Sequence, residues 1–177
     1  KRRKDNRNPF PETYDEKLCE LAENLPEVDG DKEVANGRTD LRDLPLVTID
    51  PHDAKDFDDA VCLIRDGDEL TLWVAIADVA HYVRPGTRLD AAARARATSV
   101  YLPHTVLPML PPRLADDLCS LRAEVDRLAM VVAMELDDDS KVAKSMAYEA
   151  VIKVKQNLSY EDSIGDERFD AMFELAK

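Results

Sequence analysis

The sequence has few cysteines and no long apolar run. Its three cysteines, Cys19, Cys62 and Cys119, are odd in number and far apart in the chain. That pattern favours a reducing compartment and fits neither a disulfide framework nor a zinc site. No apolar segment approaches the roughly 20 residues that a membrane-spanning helix needs. Residues 1–4 lead into polar residues, so no signal peptide is expected. We therefore expect a cytoplasmic protein without a membrane partner.

Basic residues are also scarce. The chain contains 24 Lys and Arg against 37 Asp and Glu, which gives a formal net charge of −13. Nonspecific nucleic-acid binding relies on a basic surface, so this balance argues against that class. Carboxylates that bind a metal contribute to the negative count, however, and bound cations invert the local field. Net charge alone therefore does not exclude a nucleic-acid substrate.

The length of 177 residues corresponds to about one domain, since domains usually span ~100–200 residues. Residues 1–37 are predicted to form a helical lead-in and a linker, with a helix over 11–24 and a polar linker over 29–39. Residues 38–177 are predicted to form the main domain. The stretch 169–176 has apolar residues at helical spacing and no stop signal. We therefore expect the chain to be a fragment of a larger protein.

Several segments have the composition of strands. The apolar run 44–49 predicts a buried strand. Residues 60–65 and 69–77 flank an Asp-Gly turn and predict a hairpin. A second hairpin is predicted from 128–136 and 141–155, which flank a run of aspartates. These antiparallel pairs favour a mixed, largely antiparallel sheet.

Helical and proline-rich segments lie between the two predicted hairpins. Thr87, followed three residues later by Asp90, resembles a capping box that opens a helix over 88–98. Four prolines in the stretch 101–112 require extended or looped backbone. With flanking helices added to the sheet, the predicted class is α+β.

Residues 50–59 contain five aspartates in ten positions, between two predicted apolar strands. Like charges at close range raise one another's pKa, and a hard divalent cation removes that cost. Oxygen ligands are those that Mg²⁺ or Mn²⁺ prefers, and one or two such ions commonly hydrolyse phosphodiesters. The block alone leaves a second interpretation open, a solvated acidic loop. An EF-hand loop is disfavoured, because the required Gly and Glu are missing. The candidate ligands are Asp50, Asp56, Asp58 and Asp59.

The run DLRDLPLVTID (40–50), followed by DAKDFDDA (53–60), resembles the opening of the catalytic domain of the ribonuclease II / ribonuclease R family. The likeness covers roughly residues 38–162, and the ribonuclease R branch is the more similar. Further matching segments are 74–79, 81–83, 98–103, 108–111, 118–121 and 158–161.

The resemblance implies a Mg²⁺-dependent exoribonuclease, with Mn²⁺ as a possible substitute ion. Such an enzyme hydrolyses single-stranded RNA processively from 3′ to 5′ and releases nucleoside 5′-monophosphates. The resemblance also implies that residues 38–177 are a truncated N-terminal portion of the RNB-type catalytic domain. By the family's four-aspartate signature, Asp50, Asp56 and Asp59 bind metal directly or through water. The resemblance also implies that Asp58 is essential, either as a ligand to a second metal or in orienting the water.

Two tyrosines match aromatic residues of the family. Tyr101 matches the aromatic that stacks on the 3′-terminal region of RNA, and Tyr160 matches a tyrosine that positions RNA near the scissile end. Without the resemblance, Tyr101 reads as a core aromatic and Tyr160 as a residue that caps a strand end.

The family's arginine-bearing segment near the end of the catalytic domain and its flanking oligonucleotide-binding barrels have no counterpart in these 177 residues. Two other hypotheses therefore stay open. One is a non-catalytic metal- or RNA-binding fragment, and the other is an acidic interaction module unrelated to RNA.

Overall fold

The computed structural model describes residues 14–166 and 169–175. Helix α1 (Glu16–Glu23) lies within the helix predicted over 11–24, and the predicted start at Pro11 falls outside the described residues. The Asp15 side chain caps this helix by accepting a hydrogen bond from the Lys17 amide at 2.8 Å. The lead-in is therefore helical where it is described.

Helix α2 (Gly30–Ala35) occupies most of the segment predicted as a polar linker, so that prediction was wrong. Asp29 supplies the cap by accepting a hydrogen bond from the Lys32 amide at 3.1 Å. Gly30 permits close packing against the sheet, because a Cβ there would lie 2.2 Å from Oδ2 of Asp126. A capped helix that short is stabilised by packing rather than by an apolar stripe, which is why the sequence pattern did not reveal it.

Nine strands are described in chain order: β1 (Thr39–Asp40), β2 (Val47–Asp50), β3 (Asp59–Asp66), β4 (Glu69–Ala77), β5 (Val100–Leu102), β6 (Thr105–Leu107), β7 (Asp126–Leu136), β8 (Val142–Lys153) and β9 (Gln156–Ser159). Seven form one sheet in the order β1-β8-β7-β4-β3-β2-β9, while β5 and β6 pair separately. The outer pairs β1–β8 and β2–β9 are parallel, and the other pairs are antiparallel. The prediction of a mixed, largely antiparallel sheet is confirmed.

Both predicted hairpins are present. Strands β3 and β4 join at Gly67, whose φ of +60° lies in the left-handed region that favours glycine. Strands β7 and β8 form the second hairpin, but the predicted strand over 141–155 was too long. The chain turns after Lys153, because the Lys155 amide bonds to the Leu46 carbonyl and leads into β9. Strand β2 begins at Val47, later than predicted, since Pro45 has no amide hydrogen to donate.

The remaining helices are α3 (Val79–Tyr82), α4 (Arg88–Arg96), α5 (Tyr160–Ser163) and α6 (Asp170–Leu175), with a π-helical turn over Leu114–Leu118. Helix α4 matches the helix predicted over 88–98. Only half of its predicted capping box forms, because the Asp90 carboxylate bonds to the Gly86 amide instead of to Thr87. Helix α6 lies within the predicted stretch 169–176, of which Ala176 falls outside the described residues. None of the described helices is long and apolar enough to cross a membrane.

Small residues line the buried face of the sheet. Ala60 in β3, Ala75 in β4 and Ala129 in β7 are completely buried. Short side chains let the helices approach the strands closely, while larger buried side chains come both from the strands, as Val131 and Ile152 do, and from the helical side. The larger core residues from that side are Tyr82, Leu89, Leu114 and Leu118.

Candidate functional site

The four candidate aspartates line one open cavity of about 880 Å³. Asp50 is the last residue of β2, Asp59 is the first residue of β3, and Asp56 and Asp58 belong to the irregular loop between them. Because β2 and β3 are antiparallel neighbours, the end of one lies beside the start of the other. Sheet topology therefore brings the two ends of the acidic block to one place. The assignment of these aspartates as metal ligands stays a prediction.

Asp50 carries a buried oxygen that lacks a partner. Its Oδ2 atom has no hydrogen-bond donor in the part of the chain that the structure describes. Burial raises the pKa of this carboxyl, and the charges of Asp59 and Asp56 raise it further, while the Thr48 hydroxyl opposes the shift. An unpaired buried acceptor is costly unless a cation or a donor reaches it.

Asp58 faces the same cavity from the loop. Its side chain is accessible to solvent, yet enough protein surrounds it that desolvation is the main cause raising its pKa. The charges of Asp56, Asp59 and Asp50 add to the shift in that order. Its place in the wall of an open cavity is consistent with both observations. The carboxylates thus interact electrostatically rather than standing apart on a solvated loop.

The donor set suits a hard divalent cation. All four candidate ligands offer carboxylate oxygens, which Mg²⁺ and Mn²⁺ prefer over softer donors. Within residues 14–166 and 169–175, no three Asp, Glu, His or Cys side chains already stand where they could hold one ion together. The unpaired Oδ2 of Asp50 nevertheless offers a free acceptor at the cavity wall. The chemistry of these residues therefore fits a cation, although among the described residues their carboxylates do not form a complete ligand set.

Tyr101 lies on the hairpin of β5 and β6 and reaches the acidic loop. Its hydroxyl donates a hydrogen bond to Oδ2 of Asp56 at 2.8 Å. This bond is the main reason why the pKa of Tyr101 rises to about 12. The side chain is 66% exposed, so the interpretation of Tyr101 as a core aromatic was wrong. An open aromatic face at the rim of the cavity is available for stacking.

Tyr160 lies elsewhere. It is the first residue of α5, is 53% exposed, and does not belong to the cavity wall that holds the aspartates. It follows Ser159, which pairs with Asp50 across the parallel strands β9 and β2. Ser159 ends β9 and caps α5, so Tyr160 directly follows a strand end, as the alternative interpretation of a strand-end cap requires. The RNA-positioning role of Tyr160 stays a prediction.

Other residues of the cavity wall were missed from the sequence. Asp116 is supplied by the π-helical turn, and its pKa is raised by burial and then by the charge of Asp56. Tyr14 comes from the lead-in and donates a hydrogen bond to the Pro108 carbonyl at 2.8 Å. Lys55 is the one cation of the described wall. No sequence pattern links Tyr14 or Asp116 to the acidic block, because tertiary packing alone brings them there.

The cavity as a whole is strongly acidic. Its described wall contains a single ammonium group, that of Lys55, and six carboxylates, from Asp50, Asp53, Asp56, Asp58, Asp59 and Asp116. A phosphate group is repelled by such a surface unless cations neutralise it. The wall therefore suits either cations alone or an anionic ligand that arrives together with cations.

Comparisons with known proteins show which family this chain resembles. The RNB domain family matches residues 38–164. Ribonuclease R of Escherichia coli (strain K12) is 49% identical over 152 residues, which are 85% of this chain and 18% of that protein. Ribonuclease R of Thermotoga maritima is 47% identical over 155 residues, covering 86% of this chain and 22% of that protein. The chain thus spans about a fifth of the length of these relatives.

Solved structures share the fold. RNase R of Mycoplasma genitalium, in complex with ribose methylated single-stranded RNA, matches with a TM-score of 0.83 and 31% identity. That match covers 94% of this chain and 28% of the other. Yeast Ssd1, described as a pseudonuclease, matches with a TM-score of 0.73 and 22% identity over 86% of this chain and 20% of its own. At that identity the likeness to Ssd1 concerns the fold alone.

Proposed function

Because the chain belongs to the RNB domain family, we propose that it supplies the metal-binding part of a hydrolytic exoribonuclease. The proposed enzyme removes nucleotides processively from the 3′ end of single-stranded RNA and releases nucleoside 5′-monophosphates. One observation carries this proposal: the aspartates at both ends of the acidic block line a single cavity that Tyr101 borders. A fold shared with a pseudonuclease would not by itself support hydrolysis, whereas this concentration of carboxylates does.

The proposed cofactor is Mg²⁺, with Mn²⁺ as a substitute. When bound, such ions activate water and neutralise the charge that develops on a phosphodiester. Asp50, Asp56 and Asp59 are the proposed ligands, and the unpaired oxygen of Asp50 supports that role. Asp58 is proposed to bind a second ion or to orient the attacking water, since it faces the cavity beside the other three. The acidity of the wall explains why RNA would need these cations to approach.

Single-stranded RNA is the proposed partner. The exposed ring of Tyr101 offers a face on which a base near the 3′ end can stack without sequence preference. Its hydroxyl contacts Asp56, which would hold the stacked nucleotide close to the proposed ligands. Tyr160 is exposed one residue beyond the partner of Asp50, and we propose that it positions RNA near the scissile end.

We also propose a cytoplasmic protein whose catalytic portion begins near residue 38. The thiols of Cys19, Cys62 and Cys119 are free, as suits a reducing compartment. The proposed division at residue 38 separates the lead-in from the catalytic portion in sequence, although Tyr14 of the lead-in contributes to the cavity wall.

The test is incubation with 3′-labelled single-stranded RNA and Mg²⁺, using a longer protein that carries this chain. Labelled mononucleotide should appear at once, and a 3′-blocked strand should resist. Asp58→Asn should abolish release while RNA binding persists. The matched control is Asp138→Asn, which removes the same charge from an exposed turn between β7 and β8 and should leave release unchanged. Continued turnover by Asp58→Asn would refute the role given to Asp58.

A non-catalytic metal- or RNA-binding fragment is the second candidate function. It is favoured by two observations on the described part of the chain: no three ligands converge yet, and the chain spans about a fifth of its relatives. The same assay on the 177-residue chain alone separates the two candidates. Release by the longer protein without release by the chain supports the second for this piece. If Mn²⁺ binds no more tightly to the wild type than to a variant with Asp58→Asn and Asp59→Asn, the remaining hypothesis is an acidic interaction module unrelated to RNA.

A further inference from the structure

The hydroxyl of Ser120 contacts the backbone on both sides of Asp56. Ser120 is completely buried. Its Oγ atom accepts a hydrogen bond from the Phe57 amide at 3.1 Å and donates one to the Lys55 carbonyl at 2.7 Å. A serine hydroxyl has one hydrogen to donate and lone pairs that accept, so both bonds can form at once. The residue between these two backbone groups is Asp56.

The loop that Ser120 contacts has irregular backbone between β2 and β3. Its polar backbone groups therefore need partners other than a strand ladder. The Leu121 amide supplies one more, by donating to the Phe57 carbonyl at 2.8 Å. At the end of the loop, the Ala77 amide donates to the Asp58 carbonyl at 2.9 Å. Ser120 and its neighbour thus determine where the middle of the loop lies.

Ser120 is itself bonded to an interior strand of the sheet. Its carbonyl accepts a hydrogen bond from Nε of Arg127 at 2.8 Å. Arg127 belongs to the interior strand β7 and is 1% exposed, and its Nη2 contacts Oδ1 of Asp117 at 3.2 Å. A buried guanidinium with several bonds has little freedom, so it holds Ser120 in a fixed place. A continuous set of hydrogen bonds therefore runs from β7 to the backbone around Asp56.

We propose that Ser120 is a positioning residue for the candidate metal site. By holding the Lys55 carbonyl and the Phe57 amide, its hydroxyl sets the direction in which the Asp56 carboxylate projects into the cavity. Ser120 does not line the cavity, so it acts through Asp56 rather than on the ion. Residues that orient metal ligands in this way typically change metal affinity by roughly 10- to 100-fold when they are replaced. The inference rests on the proposed function, since it requires that Asp56 binds a cation.

The experiment measures Mn²⁺ affinity and thermal stability separately on the 177-residue chain. Free Mn²⁺ is titrated by electron paramagnetic resonance at a temperature well below unfolding. Ser120→Ala removes both bonds of the hydroxyl and should weaken Mn²⁺ binding about 10-fold. Ser120→Thr keeps a hydroxyl and should stay within about threefold of the wild type, as expected if the hydroxyl itself is what matters. The matched control is Val151→Ala, a completely buried position in β8 at the far side of the sheet.

The control separates positioning from general destabilisation. Val151→Ala should lower the unfolding temperature as Ser120→Ala does, while its Mn²⁺ affinity stays within about twofold of the wild type. Should Ser120→Ala fail to fold, Ser120→Cys keeps a small buried side chain with a weaker donor and should show the same loss.

Two results would overturn the inference while the proposed function stands. They are wild-type affinity in Ser120→Ala or Ser120→Cys, and an equal loss of affinity in Val151→Ala. Failure of the wild-type chain to bind Mn²⁺ would instead overturn the proposed function, and this inference with it.

Discussion

Replacing Asp50 by Asn should stabilise the chain without divalent ions and remove its response to Mg²⁺. The change keeps the size of the side chain but removes a charge from a buried oxygen that has no partner in the described residues. It also removes the repulsion with Asp56 and Asp59 that raises the pKa of Asp50. An unsatisfied buried acceptor costs roughly 1–3 kcal/mol and more if charged, and the amide that replaces the carboxylate relieves only the part that is due to the charge. Because Asp50 is only partly buried, solvent screening places the expected gain near the low end, about 1 kcal/mol.

The larger expected difference between the wild type and Asp50→Asn is the stabilisation that each gains from Mg²⁺. A ligand present at 100 times its dissociation constant stabilises the folded state by about 2.7 kcal/mol. For a chain of this length, each kcal/mol shifts the unfolding temperature by roughly 2–4 °C. The wild type should therefore gain about 5–10 °C at saturating Mg²⁺. Asp50→Asn should start about 2–4 °C higher and gain little.

Thermal unfolding followed by circular dichroism measures the unfolding temperature in chelator and its increase as Mg²⁺ is added. Asp138→Asn is the control, because it removes the same charge from an exposed turn that does not line the cavity. It should keep most of the shift produced by Mg²⁺. The reasoning is refuted if Asp50→Asn is less stable than the wild type by 1 kcal/mol or more in chelator, or if it responds to Mg²⁺ as the wild type does.

Three further predictions concern Tyr101, Arg127 and pH. Tyr101→Ala should weaken RNA binding by about 1–3 kcal/mol and change the size of the final product. Tyr101→Phe keeps the stacking face and should leave the product ladder unchanged. Gel analysis of the products distinguishes the two variants, and equal ladders for both would contradict the stacking role. Arg127→Met should lower the free energy of unfolding in urea by about 2–3 kcal/mol, because it leaves buried partners unpaired, and a loss below 1 kcal/mol would contradict this. Raised carboxyl pKa values at Asp50 and Asp58 mean that the folded state binds protons more tightly than the unfolded state. The stabilisation that tighter proton binding gives the folded state is fully present below about pH 4 and is lost as pH rises through the folded pKa values. The increase in unfolding temperature produced by Mg²⁺ should therefore grow between pH 5 and pH 7.5. An equal increase at both pH values would contradict this prediction.

Local signals explain which parts of the fold the sequence predicts. The hairpin around Gly67 combines β-prone runs with a turn that needs a left-handed residue, so pattern and backbone geometry agree. The break after Lys153 is hidden, because no Gly or Pro marks it and only a bond to the distant Leu46 carbonyl reveals the turn. Helix α2 is hidden for a similar reason, since its stability comes from packing.

The candidate site likewise contains residues that the sequence predicts and residues that it does not. Its central aspartates lie within ten residues of one another in the chain, so the sequence itself displays their concentration. Asp116, Tyr14 and Ser120 belong to segments whose composition carries no sign of the cavity. Only the three-dimensional path of the chain brings them to the acidic loop. Residues that shape the environment of the aspartates are therefore harder to find than the aspartates themselves.

The parallel pairing of β2 with β9 has a consequence for the order of folding. Asp50 stands at the end of β2, and Thr48, two residues earlier in the same strand, accepts a hydrogen bond from Asn157 of β9 across a separation of 109 residues. Closing so long a loop costs entropy before the contact returns any stability, and such contacts form slowly. The β3–β4 hairpin requires only a two-residue turn and can form early. During synthesis the acidic loop therefore leaves the ribosome long before the strand that fixes one of its ends, and the cavity is completed late.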